Sequence, residues 1–246
     1  MKELAVQPTL VEQVYQAILF EISEGKLAPG ARIIQEQVAA GLGVSRQPVQ
    51  QALLLLRNQG ILRDAPGRGL IVTPMDLDHV ESMYEIRAVI EGLACRNAAE
   101  INADKASKSG PALIRNGRKA VKSGSVASMI AADMKFHDFI YGLSRNVLIA
   151  PAMESHWTYT HRVMGEVLMR DKKPRDIWNQ HEAIMNAIIE GDGVKAEMLV
   201  RQHITEAARF MVTRLRSQQS ADPGAALVLT PSAPAAPTAG TKPAGR

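Results

Sequence analysis

The 246-residue sequence predicts a mainly α fold in two parts. Apolar residues recur at helical spacing along most of the chain, and short strand-like runs occur only before Pro74. From Ser217 onward the composition turns to Ala, Pro, Ser, Thr and Gly, which lacks a core-forming pattern. The expected layout is a unit of short helices closed by a hairpin over residues 1–75, then an all-α bundle of six to seven helices over 76–216. A disordered Ala/Pro-rich tail over 217–246 completes it.

Thr9 and Glu12 form a capping-box pattern ahead of Leu10, Val14, Ile18 and Ile22, and Gly25 closes that first helix. Pro29-Gly30 marks a turn, and Ile33-Ile34 a short strand. A second helix runs from about Gln35 to Ala40 and breaks at Gly41-Leu42-Gly43. Ser45 is placed to cap a longer third helix, with Pro48 in its first turn, where no bonded N–H is needed. Val49, Ala52, Leu53 and Leu56 make its apolar stripe and leave Arg46, Gln47, Gln50 and Gln51 on the opposite side. After Gly60, "ILR" and "LIV" flank "DAPGRG", a turn that carries Arg68 between two glycines. Alone, this stretch reads equally as an ordinary amphipathic helix with a hairpin. The helices before it make the order a winged helix-turn-helix. Arg and Gln side chains hydrogen-bond base edges and phosphates in a major groove. Ser45, Arg46, Gln47, Gln50, Gln51, Arg32, Arg68 and Gly69 are therefore the candidate DNA contacts.

Charge is distributed to match. The net +4 conceals a net −2 over residues 1–43, where Lys2, Lys26 and Arg32 face Glu3, Glu12, Glu21, Glu24 and Glu36. Residues 44–75 carry Arg46, Arg57, Arg63 and Arg68 against Asp64 alone, a net +3. Phosphate neutralisation drives affinity for duplex DNA, and so few basic groups bind weakly as one copy. Two copies on a two-fold symmetric operator repair that, so a homodimer is expected. An aromatic content of 4% argues against a single-strand binder built on base stacking. The sole cysteine, Cys95, excludes an intrachain disulfide framework and suits a reducing compartment. No signal-peptide pattern is visible, and no apolar run approaches the ~18 residues of a membrane span. A soluble cytoplasmic protein without membrane partners is the expectation.

In the second part, Asp76 caps a helix to about Ile101, with Val80, Tyr84, Ala88, Leu93 and Ala94 as buried candidates. "ADKASKSG" reads as a break, followed by a helix to about Lys122, another over Ser125–Leu143, and a fourth from Asn146 to Arg170. "PRDIWNQHEAIMNAIIEG" and "VKAEMLVRQHITEAARFMVTRLR" supply the last two. Asp133 and His137 stand four apart and share a helix face, while His181 and His203 lie mid-helix in apolar settings. Three imidazoles and a carboxylate suit Zn²⁺ first, then Ni²⁺ or another divalent transition metal. Each histidine also reads singly as a hydrogen-bonded core residue, and periodicity leaves open whether the helices converge. The adjacent His137-Asp138 pair fits a metal phosphohydrolase poorly, because Asp138 sits roughly 100° round the helix from His137. Leu54 and Leu55, outside the main stripe, are candidate contacts between domains or subunits.

Residues 9–75 resemble the DNA-binding domain of GntR-type bacterial transcription regulators, on "LAPGARI", "GLGVSRQPVQQAL", "LLLRNQGIL" and "PGRGLIV". The chain departs from that pattern where relatives carry Arg: here stand Gln50 and Glu36. Residues 76–216 resemble the all-helical FCD domain of the FadR-like subfamily, on "YEIRAVIEGLACRNAA", "DMKFHDFI", "LSRNVLI", "QHEAIMNAI" and "RQHI". The resemblance implies that Asp133, His137, His181 and His203 ligate the metal, beside which a small organic or sugar acid binds. Arg87 then reads equally as an anchor for an anionic group or as the i,i+4 partner of Glu91. Asn146 reads as a ligand contact or a helix cap, and Arg162, with His161 and Trp157, as pocket lining or packing. Together these imply a ligand-responsive transcription regulator, a repressor rather than an enzyme. The alternative is a metal-dependent hydrolase or lyase fused to a winged helix.

Overall fold

The capping pattern at Thr9 sets where the first helix begins. In the computed structural model, which describes residues 8–23, 25–169 and 177–221, α1 spans Leu10–Ser23. The Thr9 hydroxyl accepts from the Glu12 amide at 3.2 Å, and the Glu12 carboxylate accepts from the Thr9 amide at 2.6 Å. Val14, Ile18 and Ile22 are buried, whereas Leu10, in the first turn, is exposed. Next come β1 (Arg32–Ile33), α2 (Gln35–Leu42), α3 (Arg46–Asn58), β2 (Leu62–Asp64) and β3 (Leu70–Val72). The strands form one antiparallel sheet in the order β1-β3-β2, with Ile71 opposite both Arg32 and Arg63. Gly67 and Gly69 turn the β2–β3 wing at φ of +94° and +91°, a region that a side chain disfavours. The expected α3 stripe of Val49, Ala52, Leu53 and Leu56 is buried, at about 1.5–3 kcal/mol for each large side chain. Ser45 occupies the N-cap of α3 with extended backbone, but its hydroxyl makes no capping bond. Gln35 instead donates its side-chain amide to the Arg46 carbonyl at 2.8 Å.

The bundle departs from the expected layout at its first helix. α4 runs unbroken from Leu77 to Ser123, through Pro111, and the expected break is only a kink at Asn102 (φ −136°, ψ 31°). Asn102 holds that kink closed by donating its buried amide to the Leu143 carbonyl at 2.6 Å. Local breaker residues are overridden by packing. Gly110 and Gly117 are flat spots on α4 against which Met185 and Trp178 pack, so closely that a Cβ at either position would collide. Gly110, in the stretch that read as a break, is thus contact surface for another helix. α5 (Val126–Leu143) follows, N-capped by Ser125, whose hydroxyl accepts from the Ser128 amide at 3.2 Å. α6 (Ile149–Leu168), α7 (Ile177–Ile189) and α8 (Gly193–Ala221) complete the bundle. Among the described residues it holds five helices, or six segments if α4 is divided at its kink. α8 continues helical past Ser217 to Ala221, so the expected tail does not begin there. The rest of that tail lies outside the described residues.

Phe136, Ile140, Met153, Ile184, Met185, Ile188 and Ile204 form the fully buried centre of the bundle. Val80, Tyr84 and Ala94 are buried on α4 as expected, but Leu93 is exposed on its outer face. The two parts of the chain meet where α1 lies on α6. A Cβ on Gly165 would sit 2.7 Å from the Ser23 carbonyl oxygen, so only glycine permits this approach. Tyr15 donates its hydroxyl to Gln59 at 2.6 Å and lies 3.2 Å from the Thr158 hydroxyl. Leu54 and Leu55 stay exposed (50% and 44%) and make no part of this junction. Among the described residues, no helix is long and apolar enough to cross a membrane.

Candidate metal centre and DNA-reading surface

Ser45, Arg46, Gln47, Gln50 and Gln51 are exposed at and beyond the start of α3, and Arg68 and Gly69 are exposed in the wing turn. A cleft between α3 and the wing is lined by Arg32, Glu36, Gln50, Leu54, Arg57 and Arg68. Arg32 is partly committed: it donates to the carbonyls of Arg68 at 2.8 Å and Pro66 at 3.3 Å, which braces the wing turn. Arg46 lies 3.2 Å from Glu36 of α2, an ion pair in which both side chains remain more than half exposed. Glu36 therefore masks part of the positive charge on the face that carries it.

The bundle brings together the histidines that sequence spacing could only suggest. His137 of α5, His181 of α7 and His203 of α8 are buried, and their candidate ligand atoms all lie within 4.8 Å of one another. His181 Nε2 is 3.2 Å from His203 Nε2 and 3.5 Å from an Asp133 oxygen. Asp133 also lies 3.9 Å from His137 Nε2. Four ligand atoms about 2.0–2.1 Å from a tetrahedral ion stand about 3.3 Å apart. The observed separations bracket that value. His137 Nε2 is buried without a hydrogen-bond partner among the described residues, as expected of a lone pair kept for an ion.

The electrostatics agree. Burial, and then the neighbouring His203 and His137, push the His181 pKa well below its ordinary value, so it stays a neutral imidazole. Burial raises the Asp133 carboxyl, with His137 and Arg87 opposing it, and a bound cation would favour its ionised form. Glu91 behaves differently. Burial would raise it, but His137 and Arg87 outweigh that and hold its carboxyl at about 2. Glu91 is 1% exposed, stands 2.5 Å from His137 Nδ1 and accepts from Arg87 Nε at 2.8 Å. Glu91 thus faces the outer nitrogen of a candidate ligand, the position that orients such an imidazole. Sequence reasoning saw Glu91 only as a helix-neighbour of Arg87, because its second contact crosses between α4 and α5.

The other residues singled out from sequence fall in three places. Arg87 is buried beside the centre, bonded to Glu91, 3.3 Å from the Thr160 hydroxyl and stacked over Trp157 at 4.6 Å. Trp157 in turn lies 5.3 Å from the His137 ring. Asn146 sits in the α5–α6 turn, where its side-chain oxygen accepts from the Leu148 amide at 3.1 Å, so the structure gives it the cap-like role. Arg162 is buried but points away from the centre. It donates to the Thr73 carbonyl in the segment that joins the wing to α4, and Tyr159, three residues before it, accepts from the Asp76 amide at 3.4 Å. His161 faces a cleft between α1, α5 and α6, where burial lowers its pKa to about 4. Tyr141, which no sequence signal marked, has a buried hydroxyl without a partner among the described residues, and burial raises its pKa.

Comparison with known proteins places both parts. The chain matches the FCD domain over residues 82–206 and the "Bacterial regulatory proteins, gntR family" domain over residues 10–72. It is 24% identical over 220 residues to the HTH-type transcriptional repressor RspR of Escherichia coli K12, covering 89% of this chain and 96% of that one. Among solved structures it is similar to E. coli McbR/YncC, with a TM-score of 0.73 at 21% identity over 87% of this chain and all (100%) of the other. A GntR transcriptional regulator from Rhodococcus sp. RHA1 gives a TM-score of 0.68 at 20% identity, covering 82% and 97%. At such identities the structures speak for the fold and the family matches for the kind of protein. The chain belongs to the GntR family of bacterial regulatory proteins, as a DNA-binding transcription regulator that carries an FCD domain behind its winged helix.

Proposed function

We propose that this regulator is a ligand-responsive repressor whose FCD domain holds a divalent metal ion and senses a small carboxylate metabolite. In this reading residues 1–75 bind a two-fold symmetric duplex operator as one half of a homodimer in the cytoplasm. The helices α4 to α8, which end at Ala221, form the sensor. Ser45, Arg46, Gln47, Gln50, Gln51 and Arg68 meet the groove, with Gly69 shaping the wing and Arg32 bracing it. Gln50 offers an amide, whose donor and acceptor suit the N6 and N7 edge of adenine.

Asp133, His137, His181 and His203 hold the ion, with zinc the best fit to three imidazoles and one carboxylate. The single observation that carries the reading is the convergence of these residues in the buried core. A divalent ion supplies a Lewis-acidic position there. Ionised Asp133 offsets one of its charges, and the buried Glu91 and Arg87 offset each other, which leaves a net charge of about +1. One carboxylate neutralises it. Arg87 stays on hand beside Trp157 for a second polar group of that ligand. α6 carries the response: Trp157 and Thr160 contact the Arg87 cluster, while Tyr159 and Arg162 on the same helix hold Asp76 and Thr73. A ligand that shifts α6 biases the orientation of the winged unit.

Fluorescence anisotropy on a genomic operator fragment, with metal-loaded and chelator-stripped protein, tests this against a panel of small organic and sugar acids. The expected result is that one chemical class of acid weakens operator binding at least about tenfold, a coupling near 1.4 kcal/mol, and only in the metal-loaded form. Operator affinity indifferent to every acid and to the metal sinks the sensor reading. Catalytic turnover of an acid favours the enzyme alternative.

A further inference from the structure

An imidazole can turn Nε2 toward a metal ion as a ligand only if its proton sits on Nδ1. What holds that proton is therefore part of the centre. At His203 the answer follows from a chain of three side chains. Glu206, one turn along α8, has a carboxylate that only accepts hydrogen bonds. Its Oε1 accepts from Gln202 at 2.8 Å, and its Oε2 accepts from Gln180 Nε2 at 2.7 Å. The Gln180 amide is thereby oriented, with its NH2 on Glu206 and its Oε1 facing His203 Nδ1 at 2.9 Å. An amide oxygen cannot donate, so the proton between them belongs to His203 Nδ1. His203 Nε2 then directs its lone pair at His181 Nε2, 3.2 Å away.

We infer that Gln180, itself oriented by Glu206, is a positioning residue that fixes His203 as an Nε2 ligand of the metal centre. Glu91 is its counterpart at His137, with an anionic acceptor in place of a neutral one. His181 is the exception: its Nδ1 is buried without a partner among the described residues, so no acceptor there holds a proton on that nitrogen. Gln180 and Glu206 thus add a requirement to the centre that its four ligands do not contain. The inference rests on the metal-binding reading above.

The test uses the full chain, uniformly ¹⁵N-labelled and stripped of metal, with long-range ¹H–¹⁵N correlation spectra of the imidazoles. His203, assigned by the signals lost in His203→Gln, is expected as the Nδ1–H tautomer in the unmodified chain, and Gln180→Leu is expected to shift it toward Nε2–H. Co²⁺ affinity, measured by competition with a chromophoric chelator, should fall about 10–100-fold in Gln180→Leu. The double variant Gln180→Glu with Glu206→Gln keeps an oxygen facing His203, and it should return to within about threefold of the unmodified chain if the acceptor is what matters. An Nε2–H tautomer at His203 in the unmodified chain overturns the inference. So does a Gln180→Leu chain that binds Co²⁺ undiminished, or a double variant no better than Gln180→Leu. An unmodified chain with the Nδ1–H tautomer that binds no Co²⁺ overturns the metal reading instead, so the two failures are told apart.

Discussion

Two arginine–glutamate pairs set the core of the bundle against the reading face of α3. Arg87 and Glu91 meet at 2.8 Å with side chains 3% and 1% exposed, and Arg46 and Glu36 meet at 3.2 Å with side chains 70% and 53% exposed. The two contacts differ little in length. In the core, water cannot replace either partner, so each charge depends on the other and the pair is fixed architecture. At the surface, solvent screens the pair and either partner can leave at little cost. A buried ion pair therefore defines a site, whereas an exposed one is a reserve that an incoming phosphate can take over.

The strongest test of the buried side removes two ligands together. His181→Ala with His203→Ala should abolish stoichiometric metal, read by elemental analysis of dialysed protein, and leave operator binding by the winged unit in place. Full occupancy in that variant would refute the assignment. Next in size is Glu91→Gln, which strands Arg87 in the core and should cost about 3–5 kcal/mol in chemical denaturation. The same variant changes the pH dependence. Glu91 is held at about 2 in the folded chain against an ordinary 4.5, so the folded state binds fewer protons than the unfolded one between those values. Its stabilisation is complete above pH 4.5 and is lost as the pH falls toward 2. Glu91→Gln should flatten that limb of the stability profile; an unchanged acid limb would show that Glu91 does not carry it.

The two sides were also unequally legible. On α3 the stripe, the N-cap position and the exposed Arg and Gln follow from spacing alone, because helical periodicity decides which side chains face water. In the bundle, spacing identified Asp133, His137, His181 and His203 but could not bring three helices together. Contacts that cross between helices left no local trace, which is why Glu91 at His137 and Gln180 at His203 went unmarked. The stretch "ADKASKSG" misled for the opposite reason. Its local signal is a break, and the demand of Met185 for close approach to α4 at Gly110 outweighs it. Arg162 read from sequence as pocket lining or packing, and only the fold shows Thr73 as its partner.

On the exposed side the effects should be smaller and should appear in DNA binding rather than stability. Arg46→Ala is expected to weaken specific operator binding by about 1–3 kcal/mol, roughly 5–150-fold, with the bundle's melting unchanged. Undiminished affinity would remove Arg46 from the interface. The finest test is Glu36→Gln, which frees Arg46 and deletes a negative charge beside the phosphates. Since an exposed pair is worth at most about 1 kcal/mol, affinity should rise by no more than about fivefold. The gain should be largest at low salt, because the released arginine adds one phosphate contact and steepens the salt dependence by about 0.9 in log–log slope. A variant that binds no better than the unmodified chain at any salt concentration would mean that Glu36 does not hold Arg46 back. The exposed pair would then be an incidental contact, and the contrast with Arg87 and Glu91 sharper still.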